Sequence, residues 1–253
     1  MAFFITNQNL VQITDTHIFG DPTARLAGTD TRQTFIEVLD LICSKHASSH
    51  LILTGDISMD GSEASYEWIF EQLESRDRTY SLLPGNHDSI DLWGSIFPEV
   101  SLDFPTFSLT KPWKLVYLNT QVKNKEYGQV CVDSLNFIRS HITAPDASFL
   151  AVFMHHPPFS VGSKWIDKIG LKKGRDEFLG LIQHPKVKLV VSGHVHQESL
   201  MEVGTVKFFT SPSTCVQFKP HSNVFALDNS NPGYRLITLK QDGNFSTEVV
   251  RLT

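Results

Sequence analysis

Short apolar runs alternate with amphipathic stretches along most of this chain. Residues 10–14 read as a buried strand that runs straight into Asp15. Residues 31–45 carry Phe35, Val38, Leu39 and Ile42 at spacings of three and four, one face of a helix. Residues 51–53 predict a second strand, stopped by Thr54-Gly55-Asp56, and residues 63–73 a helix that buries Tyr66, Ile69, Phe70 and Leu73. A third strand over 80–83 ends at Pro84-Gly85. The pattern then loosens. Residues 107–109 and 115–118 suggest strands of a more antiparallel region, 132–142 a helix, 149–154 a strand, 175–183 a helix and 187–191 a strand. The tail reads as β over 200–203, 206–210, 234–239 and 247–252. Strand–helix alternation predicts a mostly parallel sheet with covering helices, and the β-rich tail a second sheet. There is no internal repeat and no low-complexity segment.

Five of these strands end in polar clusters: Asp15-Thr16-His17, Gly55-Asp56, Gly85-Asn86-His87-Asp88, His155-His156 and Gly193-His194-Val195-His196. Ligands of open α/β sheets sit outside the carboxyl ends of the strands. The clusters are therefore expected to converge on one edge, although they are scattered in sequence.

Each cluster has a bland reading when taken alone: a surface turn, a loop-starting Asp, a satisfied histidine. Five such accidents, each at a strand end and each supplying Asp, Asn or His, make a shared site the better account. Asp15 and His17 lie two apart, so in an extended segment they point to the same side and can grip one cation. Asp56 follows Gly55, which permits a tight turn, and its two oxygens can bridge two metals. Asn86 offers a neutral amide oxygen, and His87 can transfer a proton near neutral pH. Asp88 either orients His87 or caps the next helix. His155 and His156 are adjacent, so only one should face the site; His156 reads as a core or surface histidine, with Pro157-Pro158 stiffening the segment. His194 and His196 again lie two apart.

Composition narrows the chemistry. The 253 residues are 41% hydrophobic, enough for a large core in one domain spanning 1–253. A net charge of −5 without a Lys/Arg cluster argues against long nucleic acid as a partner. Three widely spaced cysteines, Cys43, Cys131 and Cys215, suggest neither a disulfide framework nor a zinc knuckle and suit a reduced cytosol. Residues 1–10 lack the basic and apolar regions of a signal peptide, and no apolar run is long enough to span a bilayer, so a soluble cytoplasmic protein is expected. Of the eleven histidines, His46, His50, His141, His184 and His221 have no acidic or amide company and read as surface or structural. The mixed N/O donors without cysteine fit manganese, iron or zinc, and they outnumber the needs of one ion. No phosphate-binding glycine loop, dinucleotide fingerprint or nucleophile elbow is present.

Together, the five clusters resemble the signature of the calcineurin-like metallophosphoesterase superfamily. The segments at 11–19, 161–167, 193–198, 212–220, 225–228 and 232–235 are similar to the bacterial class III 3′,5′-cyclic nucleotide phosphodiesterases, so the likeness runs through nearly the whole chain. It implies a four-layer α/β/β/α sandwich of two mixed sheets. It implies one metal on Asp15, His17, Asp56 and His196, a second on Asp56, Asn86, His155 and His194, and iron and manganese as the pair, with zinc the substitute. Catalysis would fall to His87 and Asp88, and substrate contacts to His17, Asn86, His87 and His196. The implied reaction is hydrolysis of 3′,5′-cyclic AMP to 5′-AMP by water activated between the ions, with His87 protonating the leaving oxygen. Two carboxylates against two divalent ions leave a positive excess that suits an anionic phosphodiester. Departures from the pattern are Met154, where many relatives have a third histidine, and the stretch 119–127 with Lys123 and Lys125, which bears on the substrate edge.

Spacing alone leaves open a broader phosphodiesterase or phosphomonoesterase acting on 2′,3′-cyclic nucleotides or glycerophosphodiesters, a non-enzymatic scaffold, and a nuclease. A homodimer is the commonest oligomer to expect. Residues 159–169 and 211–225 are candidates for base recognition, although Trp165 and Phe218 read equally well as core.

Overall fold

The computed structural model describes residues 7–146 and 148–253, apart from the side chain of Leu109. Of the segment 1–10, from which no leader is expected, residues 1–6 lie outside the described part.

Two mixed sheets carry the fold. The five-stranded sheet runs in the order Phe245–Arg251, Gly233–Leu239, Gln8–Ile13, His50–Thr54, Tyr80–Leu83. The six-stranded sheet runs Ser199–Val203, Val206–Thr210, Val187–Ser192, Phe149–Met154, Trp113–Leu118, Thr106–Thr110. Side chains alternate between the faces of a strand, and here both faces are covered. Leu51 and Leu53 pack with Phe35, Leu39 and Ile69 of helices Thr31–Lys45 and Glu63–Glu74. Ile52, between them, turns the other way and meets Ala151, Phe153, Leu189 and Val191 of the second sheet. Val152 and Met154 face outward again, against Ile138, Ile142 and Phe178 of helices Val132–Thr143 and Arg175–Leu181. Three apolar clusters separate four layers, the α/β/β/α sandwich. Met154 thus sits in the helix-side core.

Register fixes where the strands end. Ile13 pairs with Leu53 and Thr54 with Leu83, all parallel. Leu118 pairs with Met154 and Phe153 with Val191, again parallel. Strands that end level release their next residues at one edge, and the two sheets present these edges side by side: Thr214 N–H donates to Thr14 O, and His194 N–H to the Asp15 carboxylate.

The tail departs from expectation. It does not form the second sheet. Ser199–Val203 and Val206–Thr210 extend the sheet of Phe149–Met154, whereas Gly233–Leu239 and Phe245–Arg251 return to lie antiparallel beside Gln8–Ile13. Alternation of apolar residues marks a strand but does not name its partner. The short helices Trp93–Ile96 and Lys164–Asp167 and the two-residue strand Gln217–Phe218 are too brief to show a period. No helix among the described residues is long and apolar enough to cross a membrane.

Candidate metal centre

The five clusters meet at the shared edge. Their backbone is unusual: Asp15, His17, Asp56, His194 and His196 all have positive φ, between 45° and 71°. Non-glycine residues adopt this region at a cost and concentrate there in binding sites. Asp15 and His17 converge because the chain curls through left-handed positions, not because alternate residues of a strand share a side.

Close approach of the loops requires glycine. At Gly55, φ is +99°, and a Cβ would lie 2.5 Å from His155 Nδ1 and 2.7 Å from Gly85 N. A Cβ on Gly193 would lie 1.9 Å from Thr14 Oγ1. Gly55→Ala is expected to cost at least about 1–3 kcal/mol of stability through strain and collision. Urea denaturation checks it; an unchanged midpoint would mean that the loops do not pack this closely.

Ligand atoms of Asp15, His17 and His196 lie within 4.8 Å of one another, as do those of Asp15, Asp56 and His155. His17 Nε2 is 3.1 Å from His196 Nε2 and 3.7 Å from Asp56 Oδ2. His155 Nε2 is 3.3 Å from Asp56 Oδ2, and His196 Nε2 is 3.4 Å from Asp15 Oδ1. The far side of each ring is tied down. His155 Nδ1 meets Thr54 O at 2.8 Å and His196 Nδ1 meets Val216 O at 2.8 Å. A carbonyl only accepts, so each Nδ1 carries a proton and each ring turns its Nε2 to the site. The carboxylates are oriented too: His194 N–H donates to both oxygens of Asp15, and His87 N–H donates to Asp56 Oδ1 at 2.9 Å.

Burial would raise the Asp15 and Asp56 carboxyls, but the surrounding imidazoles outweigh it. His196 holds Asp15 below, and His155 holds Asp56 well below, the usual carboxylate range. Burial pushes His17 and His194 down to about 3, so both are neutral at pH 7, the form that ligates a metal. Burial also opposes charge on His155, yet the Asp56 carboxylate lifts it to about 9. The pocket holds two carboxylates that demand positive charge.

A cation fits this demand. Asn86 Oδ1, His155 Nε2 and His194 Nε2 are buried and have no hydrogen-bond partner. Buried polar atoms are nearly always satisfied, so this concentration of unpartnered polar atoms is what an oxygen- and nitrogen-ligated metal site requires. Asp15, His17 and His196 make one group of ligand atoms, Asp56 joins Asp15 and His155 in another, and His155 and His194 share a third with His156.

Asp88 takes neither of the roles expected of it. It makes no hydrogen bond to His87, and it caps no helix. It is buried and accepts from Ile57 N, Ser58 N, Gly85 N and Tyr66 Oη. It braces the Gly55-Asp56 turn against the Gly85-Asn86 turn, because two backbone segments that lose their sheet partners at a strand end need an acceptor for their N–H groups. Burial and the nearby Asp56 push its carboxyl up to about 6.

His156 lies beside the site: its ring is 4.7 Å from that of His194. Both of its nitrogens are engaged, Nδ1 with Thr120 Oγ1 at 2.8 Å and Nε2 with Glu126 O at 3.2 Å. His87 stands at the rim, half-buried, edge-on to His17 at 5.0 Å, with Nδ1 on Met59 O at 3.2 Å. Its Nε2 has no hydrogen-bond partner among the described residues. The rim opens into a cavity of about 590 Å³ lined by Asn86, His87, Ser89, Asn119, Lys123 and Asn124, within the size range of small-molecule sites. Lys123 thus lines the same cavity as His87.

Of the two base-recognition candidates, 211–225 mostly supports Asp15: Ser213 Oγ donates to Asp15 O at 2.7 Å. Phe218 stacks on His196 at 4.0 Å and 10°, and touches Trp165 at 5.0 Å, so both aromatics pack behind a site histidine. His50 and His141 bond to Thr79, Ser81 and Phe137, away from the site. Asn119-Thr120-Gln121, the start of the 119–127 stretch expected at the substrate edge, forms a sixth polar cluster at a strand end. It carries amides and a hydroxyl in place of Asp or His, so residue type alone does not mark it as part of the site.

A family model described as calcineurin-like phosphoesterase matches residues 9–198. The chain is 36% identical over 245 residues to the 3′,5′-cyclic adenosine monophosphate phosphodiesterase CpdA of Vibrio vulnificus, covering 96% of this chain and 89% of that protein. It is 34% identical over 250 residues to the 3′,5′-cyclic-nucleotide phosphodiesterase alr5338 of Nostoc, covering 96% and 92%. In fold it is similar to a dimetal phosphatase from Danio rerio, with a TM-score of 0.67 at 14% identity over 97% of this chain and 99% of that one. With the model spanning most of its length and such relatives end to end, this chain belongs to the calcineurin-like phosphoesterase family.

Proposed function

We propose that this chain hydrolyses 3′,5′-cyclic AMP to 5′-AMP with two metal ions, one held by Asp15, His17, Asp56 and His196 and the other by Asp56, Asn86, His155 and His194. The observation that carries the reading is the meeting of two buried carboxylates with bare imidazole nitrogens and the bare Asn86 amide oxygen. The names of the relatives supply the substrate class. Iron and manganese are the proposed pair. When bound, such ions lower the pKa of water towards about 7 and offset charge on phosphoryl oxygens.

The chain's own residues do the rest. Asp56 stands between the two donor sets and fixes their spacing. Asn86 ligates without adding negative charge, so the centre keeps its attraction for an anionic phosphodiester. His87 reaches the phosphate from the cavity side. Met59 O holds its Nδ1 proton, so Nε2 is the atom that hands a proton to the departing 3′ oxygen. His17 and His196 bring their rings to the same rim, and the stack of Phe218 on His196 keeps that ring from turning. The three thiols are unpaired, which suits the cytoplasmic setting proposed for the enzyme.

A turnover panel tests the reading. Cyclic AMP should be cleaved to 5′-AMP, lose turnover on chelation and regain it with manganese. Inert cyclic AMP beside rapid cleavage of 2′,3′-cyclic nucleotides or phosphomonoesters would replace this substrate with another of the same site.

A further inference from the structure

We propose that Gln121 is the positioning residue for His87, acting through the backbone on either side of it; this rests on the phosphodiesterase reading above. His87 follows the strand Tyr80–Leu83 of the five-stranded sheet, whereas Gln121 follows Trp113–Leu118 of the six-stranded one. The Gln121 side chain crosses between them. Its Nε2 donates to Gly85 O at 2.7 Å and to Asp88 O at 2.6 Å, the two carbonyls that bracket Asn86-His87. Both amide hydrogens are spent on this turn. From the opposite side the Asp88 carboxylate accepts from Gly85 N at 2.8 Å, so the turn is clamped twice.

Gln121 is itself fixed. Its backbone N–H donates to Asn119 Oδ1 at 2.8 Å, Gln129 N–H donates to Thr120 O at 2.9 Å, and Thr120 Oγ1 meets His156 Nδ1 at 2.8 Å. The clamp is therefore anchored to the sheet that supplies His155 and His194. The imidazole of His87 has one hydrogen bond among the described residues, the 3.2 Å contact with Met59 O. One such contact leaves the ring free to tilt, so the backbone must set where Nε2 points. A neutral amide does this without placing charge beside the centre. Gln121 lines the same cavity as His87, and its side chain hydrogen-bonds to none of the proposed metal ligands among the described residues.

Gln121→Met keeps the side-chain length and deletes both donors. On cyclic AMP, whose leaving alkoxide needs a proton, kcat should fall by about 10–10²-fold, a part of the 10²–10⁴ that general acid catalysis contributes. On bis(p-nitrophenyl) phosphate, whose phenolate leaves unprotonated, kcat should change by less than about threefold. The metal content should match wild type, and the double variant with His87→Ala should lose no more than His87→Ala alone, because the two residues act as one unit. Equal losses on both substrates, a lost metal, or losses that multiply in the double variant would overturn the inference. Turnover at the wild-type rate would do the same. A wild-type chain inert on both substrates with metal supplied would instead remove the functional reading, and the inference with it.

Discussion

Replacing Asp56 with alanine is expected to lower kcat/KM on cyclic AMP by at least about 10³-fold, beyond the effect of deleting a single transition-state contact. Asp56 reaches three histidines of the centre. One oxygen accepts the His87 N–H, and the other lies 3.3 Å from His155 and 3.7 Å from His17. In the proposed arrangement it belongs to both ions, so its loss weakens both at once and brings two cations together without the charge between them. Asp56→Asn keeps the volume and one oxygen but not the charge, and should fail nearly as badly. Elemental analysis beside the kinetics separates the causes: fewer than two ions per chain are expected in either variant. A fully active Asp56→Ala enzyme would place the chemistry elsewhere.

His87→Ala should leave the metals in place and lower kcat on cyclic AMP by about 10²–10⁴-fold, with little effect on bis(p-nitrophenyl) phosphate. The contrast follows from position. His87 is half-buried at the cavity rim, and its Nδ1 is already committed to Met59 O. In the proposed reaction it faces the leaving group, and it is left out of both proposed ligand sets. A uniform loss on both substrates, accompanied by lost metal, would make it a ligand instead; His17, Asp56 and His87 are close enough for that alternative to be worth the measurement.

Long-range periodicity was legible and short-range geometry was not. Helix Thr31–Lys45 shows its buried face in Phe35, Val38, Leu39 and Ile42 because fifteen residues give the helical period room to repeat. Helix Lys164–Asp167 has four residues and shows nothing. Strands such as Phe149–Met154 were visible as apolar runs because both faces are covered. Their partners were not, since Leu236 and Phe208 look alike in sequence yet belong to different sheets. At the site, Asp, Asn and His after strand ends gave the residues. They did not give the left-handed φ values that bring Asp15 beside His17, because those depend on contacts such as Asp15 N–H to Gly55 O and His17 N–H to Asp56 O, made between segments far apart in the chain. The roles of Asp88 and Gln121 were hidden for the same reason. Both act on the backbone of other turns, and a side chain's type says little about which carbonyl or amide will be near it.

In the proposed centre, one pocket holds a pair of cations with Asp56 between them. Crystals grown with manganese and measured at its absorption edge test this directly. Two anomalous peaks about 3.5–4 Å apart, one against Asp15, His17 and His196 and the other against Asn86, His155 and His194, are the predicted result. A single peak, or peaks remote from Asp56, would contradict it.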